Sequence, residues 1–245
     1  MAFYRTANGA GIIIGPVLGG VFADFDISYP FFISGLVSLV AIASLSYLRE
    51  ERANVQSMNF IQSLMGMLSK RSIVLICLAA FLAELCLAAL EILIPLVGSS
   101  FGFSSLLIGV ILASYFLAFT VLQVPIGFFS EKVGKRKLVA SAAFAGTIPF
   151  TILYFSSNPM EMSFSMGLLG VMLGAVFVQS SAIVAELSPR GKESLYMAFF
   201  DAVIDFSFPV IPMIVTYLVT FGIKAPFLLL MNLMILSGII FATKK

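Results

Sequence analysis

Eight runs of apolar residues follow one another along the chain, each near the roughly 20 residues needed to cross a bilayer. They cover about residues 4–23, 29–48, 73–98, 104–126, 138–156, 162–185, 195–221 and 226–242. The breaks between them are short and carry turn chemistry: Asp24-Phe25-Asp26, Ser99-Ser100-Phe101-Gly102, Ser157-Asn158-Pro159 and Ser188-Pro189-Arg190-Gly191. One longer connection, from Arg49 to Ser72, is polar at its start and mildly amphipathic from Phe60 to Leu68. It reads as a tether between two bundles, with a helix inside it lying on the membrane surface. The pattern predicts an all-α polytopic membrane protein of about eight transmembrane helices.

Composition supports the same class. The chain is 60% hydrophobic and 11% charged, with a mean hydropathy of +1.10, far from a soluble domain. A net charge of +2 confined to short loops gives no nucleic-acid surface. Cys77 and Cys86 are nine residues apart on one predicted helix, about 13 Å along its axis, too far to bridge. With no His in the chain, neither a Ser-His nor a Cys-His nucleophile can be built. No metal-ligand cluster is evident, so no enzyme, metal or cofactor is expected.

Charge placement sets the expected orientation. With the N-terminus in the cytoplasm, Arg5, Arg49, Arg52, Lys70, Arg71, Lys132, Lys135, Arg136, Lys137, Arg190, Lys192, Lys244 and Lys245 fall inside. Of the 14 Lys and Arg, only Lys224 then falls outside. Both termini are therefore expected in the cytoplasm of a multi-pass cell-membrane protein. Tyr4, Tyr29, Tyr47, Tyr154 and Tyr196 stand near span ends, where their rings anchor at the headgroups.

Two motifs stand out. The first span carries Gly9-Ala10-Gly11-Ile12-Ile13-Ile14-Gly15-Pro16-Val17-Leu18-Gly19-Gly20. Gly11, Gly15 and Gly19 lie on one side of a helix, where a neighbour can approach backbone to backbone. Pro16 frees the carbonyl of Ile12 and bends the segment. Between the fourth and fifth spans runs Gly127-Phe128-Phe129-Ser130-Glu131-Lys132-Val133-Gly134-Lys135-Arg136-Lys137. Gly127 and Gly134 supply backbone freedom for a tight reversal. Glu131 can pair with the adjacent bases, and a helix N-terminus would favour it.

These residues carry a resemblance. The pattern G-x-x-x-G-P-x-x-G-G resembles the fifth-helix signature of drug-proton antiporters in the major facilitator superfamily. Residues 127–137 resemble that superfamily's loop motif G-x-L-a-D-r-x-G-r-k, with Glu131 and Lys132 as conservative replacements. The resemblance implies that residues 1–48 are the last two helices of an N-terminal half and 49–72 the cytoplasmic linker between halves. Residues 73–245 would then be the C-terminal six-helix half, and the family's first four helices are lacking. It also gives Gly11, Gly15, Pro16, Gly19 and Gly20 the role of shaping the seal between halves. Gly127, Glu131, Lys132, Gly134, Lys135 and Arg136 would lock the outward-facing state on the cytoplasmic side. The cavity would be lined by span three, with Glu84 and Glu91, and by span six, with Gln179. Span seven, with Asp201 and Asp205, would flank the moving interface.

Chemistry is expected from the acids at membrane depth, because such groups are functional by default. Glu84 and Glu91 are seven apart on one helical face, and Asp201 and Asp205 are four apart. Counted from Ile73, Glu84 lies about 16 Å deep. Desolvation favours the neutral form of a carboxylate, and two carboxylates in one cavity resist ionising together. That behaviour suits exchange of a proton for substrate. With no cation at mid-membrane depth, a cationic or neutral amphipathic substrate fits better than an anion. The expected function is proton-coupled efflux of such a compound by alternating access. The expected partners are the lipid bilayer, protons, the small-molecule substrate and the missing N-terminal helices on another chain. The alternative is a non-transporting membrane subunit or regulator.

Overall fold

The structure is a computed structural model and describes residues 2–45 and 66–242. Most of the expected linker lies outside the described residues, including residues 60–65 of its amphipathic stretch. So do the side chains of Tyr4, Arg5, Tyr47, Arg49, Arg52, Lys244 and Lys245.

The described chain is helical, with no strand among the described residues. The helices are α1 (Ala2–Ala23), α2 (Tyr29–Leu45), α3 (Arg71–Ser100), α4 (Ser105–Val133), α5 (Lys135–Ala145), α6 (Thr147–Phe155), α7 (Pro159–Leu187), α8 (Glu193–Asp205), α9 (Ser207–Val219) and α10 (Ala225–Ala242). Six segments have the length and apolarity of a membrane span: α3, α4, α5 with α6, α7, α8 with α9, and α10. The apolar stretches Gly9–Ala23 and Tyr29–Ser44 are shorter.

Two of the expected spans are interrupted, and both interruptions have the same cause. The α5–α6 break at Gly146 lies three residues before Pro149, and the α8–α9 break at Phe206 lies three residues before Pro209. A proline has no N–H for the carbonyl four residues back and its ring crowds that carbonyl. Ala145 and Asp205 are the residues whose carbonyls are released. By contrast α1, α3, α4 and α9 continue through Pro16, Pro95, Pro125 and Pro212.

Helix starts are written locally. Ser104 caps α4 by accepting the Leu107 N–H at 3.2 Å. Asn158 caps α7 by accepting from Met160 at 2.9 Å, with Pro159 in the first turn. The reversal from α4 into α5 turns on Gly134, whose φ of 93° suits glycine. Gly127 does not share that role and lies inside α4.

α3 is the hub, packed against α4, α7, α8, α9 and α10. Its buried positions include Cys77, Ala79, Ala80, Ala83, Cys86, Ala88 and Ala89, small side chains that let neighbouring helices close in. Ser237 on α10 donates to the Ala79 carbonyl at 2.9 Å across this core. Both cysteines are free and buried.

α1 packs along α4, and α2 leans chiefly on α1. Phe31, Phe32, Leu36, Val37, Leu39, Val40 and Ile42 on α2 stay exposed. At the end bearing Gly102, Asp24 accepts the first N–H groups of α4, from Ser105 at 2.6 Å and Leu106 at 3.2 Å. Desolvation there acts to raise the Asp24 pKa, but these hydrogen bonds outweigh it and hold the carboxyl below its ordinary value. At the same end Lys224 donates to the Ser156 carbonyl at 2.5 Å and lies 5.1 Å from the Phe101 ring centroid. Desolvation lowers its pKa.

Candidate functional site

Halfway along the bundle, α1, α3, α4 and α7 enclose a cavity of ≈ 470 Å³. Glu84 stands on its wall and is the one ionisable carboxyl among its lining residues. It is half-buried and close to the middle of the 30-residue α3. Opposite runs an aromatic wall. Tyr115 stacks on Phe119 with centroids 6.1 Å apart, and Phe119 meets Phe177 at 6.1 Å. Thr120, Gln123 and Ser181 add polar groups on the side toward Gly134. An acid beside aromatic faces in a desolvated space suits a cation carrying an apolar body, through charge pairing and cation–π attraction.

The remaining acids lie elsewhere. Glu91, Asp201 and Asp205 are exposed on the bundle surface and do not line this cavity. Glu84 still feels the charges of Glu91 and Asp205, and Asp201 feels Asp205. Among the described residues no three His, Cys, Asp or Glu side chains converge to hold a metal.

Gln179 departs from its expected position. It is 1% exposed and opens into a second cavity of ≈ 310 Å³, beside Glu131, Lys135, Gly127 and Gln123. Ser181, two residues on, faces the central cavity instead. Two residues turn an α-helix by about 200°, so the two side chains point to opposite sides.

The glycines of α1 also divide. A Cβ at Gly11, Gly15 or Gly19 would meet nothing within 4 Å, so that expected close-packing face lies open. The close approach uses the adjacent face. A Cβ at Gly20 would strike the Ser105 carbonyl oxygen, and lie 2.8 Å from the Leu106 Cα. From the other side Gly109 of α4 fits against the Pro16 carbonyl, with the Pro16 carbonyl carbon 2.9 Å from a Cβ placed there.

In the 127–137 loop, Glu131 falls in the last turn of α4, not at a helix start. Among the described residues, the ion pair of this loop joins Lys135 to Glu186 at the end of α7. Both side chains are partly exposed, so the pair contributes about 0–1 kcal/mol.

Sequence reasoning passed over Tyr115, Phe119, Thr120 and Gln123. Their signal is a band of aromatic and polar side chains within residues 115–123 of an otherwise apolar helix. It also passed over the α4–α7 seam, where Gly167, Gly170 and Gly174 of α7 face α4.

Comparison with known proteins agrees with this architecture. Residues 76–244 match the sequence profile of the Major Facilitator Superfamily. An uncharacterized MFS-type transporter of Methanocaldococcus jannaschii is 27% identical, over 72% of this chain and 46% of that protein. Multidrug resistance protein 2 of Bacillus subtilis is 28% identical, over 73% of this chain and 45% of its own length. The chain thus spans less than half the length of either relative.

Proposed function

The chain belongs to the Major Facilitator Superfamily, and we propose that it serves proton-coupled efflux of a small cationic or neutral amphipathic compound. The observation that carries this reading is Glu84, the one carboxyl on the wall of a mid-bundle cavity faced with aromatic rings. In this reading the carboxyl holds either a proton or the cationic group of the substrate, but not both. Competition for one group couples the two fluxes. The name of the Bacillus subtilis relative, a multidrug resistance protein, points the same way.

On this proposal α1 and α2 belong to one half of a carrier and 73–245 to the other, with the Gly134 end in the cytoplasm. The exposed apolar face of α2 and the exposed acids Glu91, Asp201 and Asp205 fit a surface covered by further helices. Alternating access is then the rocking of two bundles about the Glu84 cavity.

Proton release tests the site directly. A fluorescent aromatic cation such as ethidium, added to purified chain in weakly buffered detergent, is expected to bind and release protons. Glu84→Gln is expected to abolish the release. Binding without proton release, or release that persists in Glu84→Gln, would refute the proposal. Uptake of ethidium into inside-out proteoliposomes under an imposed proton gradient is the matching transport readout.

A further inference from the structure

The two cavities between α4 and α7 share residues. Gln123 and Val178 line both the ≈ 470 Å³ chamber that holds Glu84 and the ≈ 310 Å³ chamber beside Glu131. Thr120, Gln123, Gly127 and Glu131 follow one another at spacings of three, four and four, so they form one stripe of α4. The stripe spans about 16 Å, from the middle of the bundle to its basic end.

A second observation comes from α7. Gln179 is 1% exposed, and its side-chain oxygen has no hydrogen-bond partner in the protein. A buried amide oxygen left unpaired is costly, so such groups are normally met by water. The chamber it lines carries Gln123, Glu131 and Lys135 as well. Glu131 is exposed and the recess opens to the surface, so this polar set is reached by water from the basic end.

We propose that Thr120, Gln123, Gln179 and Glu131 line a hydrated side path that carries protons between Glu84 and the basic end of the bundle. The proposal rests on the reading of Glu84 as the proton-binding group. When Glu84 releases its proton, the carboxyl O–H bond breaks and the carboxylate keeps the electron pair. The proton crosses the shared wall at Gln123 on water, then forms an O–H bond on Glu131 or leaves to bulk water. The amides of Gln123 and Gln179 orient the water and do not change protonation state. The titratable groups around Glu84 are Glu91 on its own helix and Asp205 on α8, with the phenol of Tyr115 facing it from α4. Among the described lining residues, α1 and α7 bring no charge to it. The path therefore follows α4 toward the Gly134 end, past polar groups that continue beyond the aromatic wall.

The test is infrared difference spectroscopy on the purified chain in lipid nanodiscs after a rapid pH jump. The carboxylic-acid band of Glu84 is identified by its loss in Glu84→Gln. In the double variant Gln123→Leu with Gln179→Leu, that band is expected to keep its amplitude but respond at least about tenfold more slowly. Gln123→Asn should restore most of the rate. Asn232→Leu, the same amide-to-alkyl change on an exposed face of α10, should leave it unaltered. If the double variant fails to fold, the single Gln123→Leu, half-buried at the shared wall, reads the same rate. An unchanged rate overturns the side path and leaves Glu84 as the proton site. A Glu84 band that never responds to pH overturns both.

Discussion

Replacing Gly170 by Ala should loosen the α4–α7 seam, and Gly167 provides an internal control. The two glycines are three residues apart on α7 and both face α4. A Cβ at Gly170 would strike the Tyr115 carbonyl oxygen and lie 3.1 Å from both the Tyr115 carbonyl carbon and the Phe119 nitrogen. All three are backbone atoms, so no rotamer change relieves the overlap. Overpacking of this kind costs about 1–3 kcal/mol. A Cβ at Gly167 meets only the Ser114 carbonyl oxygen, at an ordinary 3.8 Å. Both changes gain about 1 kcal/mol of helix propensity, which cancels when the two are compared. Gly170→Ala should therefore be less stable than Gly167→Ala by about 1–3 kcal/mol, or on the order of 5- to 150-fold in the unfolding equilibrium. Reversible unfolding in mixed micelles, followed by helical circular dichroism, measures the difference. Gly170→Ala equal to or more stable than Gly167→Ala would refute the reasoning. Because Tyr115 and Phe119 also wall the central cavity, Gly170→Ala should weaken ethidium binding while Gly167→Ala leaves it intact.

Two further outcomes follow from hydrogen bonds and buried polar atoms. Asp24→Ala should speed amide hydrogen exchange at Ser105 and Leu106, whose N–H groups the carboxylate accepts. Since the Asp24 pKa is depressed in the fold, its contribution is present above the unfolded value of about 3.9 and fades as pH falls through the folded value. The ratio of exchange rates between variant and native chain should therefore approach unity in acid. A ratio independent of pH would count against the charge. The serines should split by partner. Ser237→Ala removes the bond to Ala79 and should cost about 0.6 kcal/mol. Ser180→Ala removes a buried hydroxyl without a partner and should gain on the order of 1 kcal/mol. The same micelle unfolding assay reads both, and equal signs would be evidence against the distinction.

The apolar runs alone determined which segments are long and apolar enough to cross a bilayer. Their length and polar punctuation are local properties, and the backbone must satisfy its own hydrogen bonds in lipid. Cap residues such as Ser104 and Asn158, and the turn at Gly134, are equally local. The place of Glu84 near the middle of α3 was legible as well, because it needs only a count along the helix. Which face of each helix meets which neighbour was not. Gly11, Gly15 and Gly19 satisfy the spacing rule, yet α4 settled against Gly9, Gly20 and the Pro16 carbonyl. Gln179 and Ser181 are near neighbours in sequence, but the α4–α7 contact sends them into different chambers. Only the tertiary structure could decide this, because helix rotation is set by the fit of two surfaces at once. Apolar composition is nearly uniform around α7, so no amphipathic face in the sequence fixes its rotation beforehand.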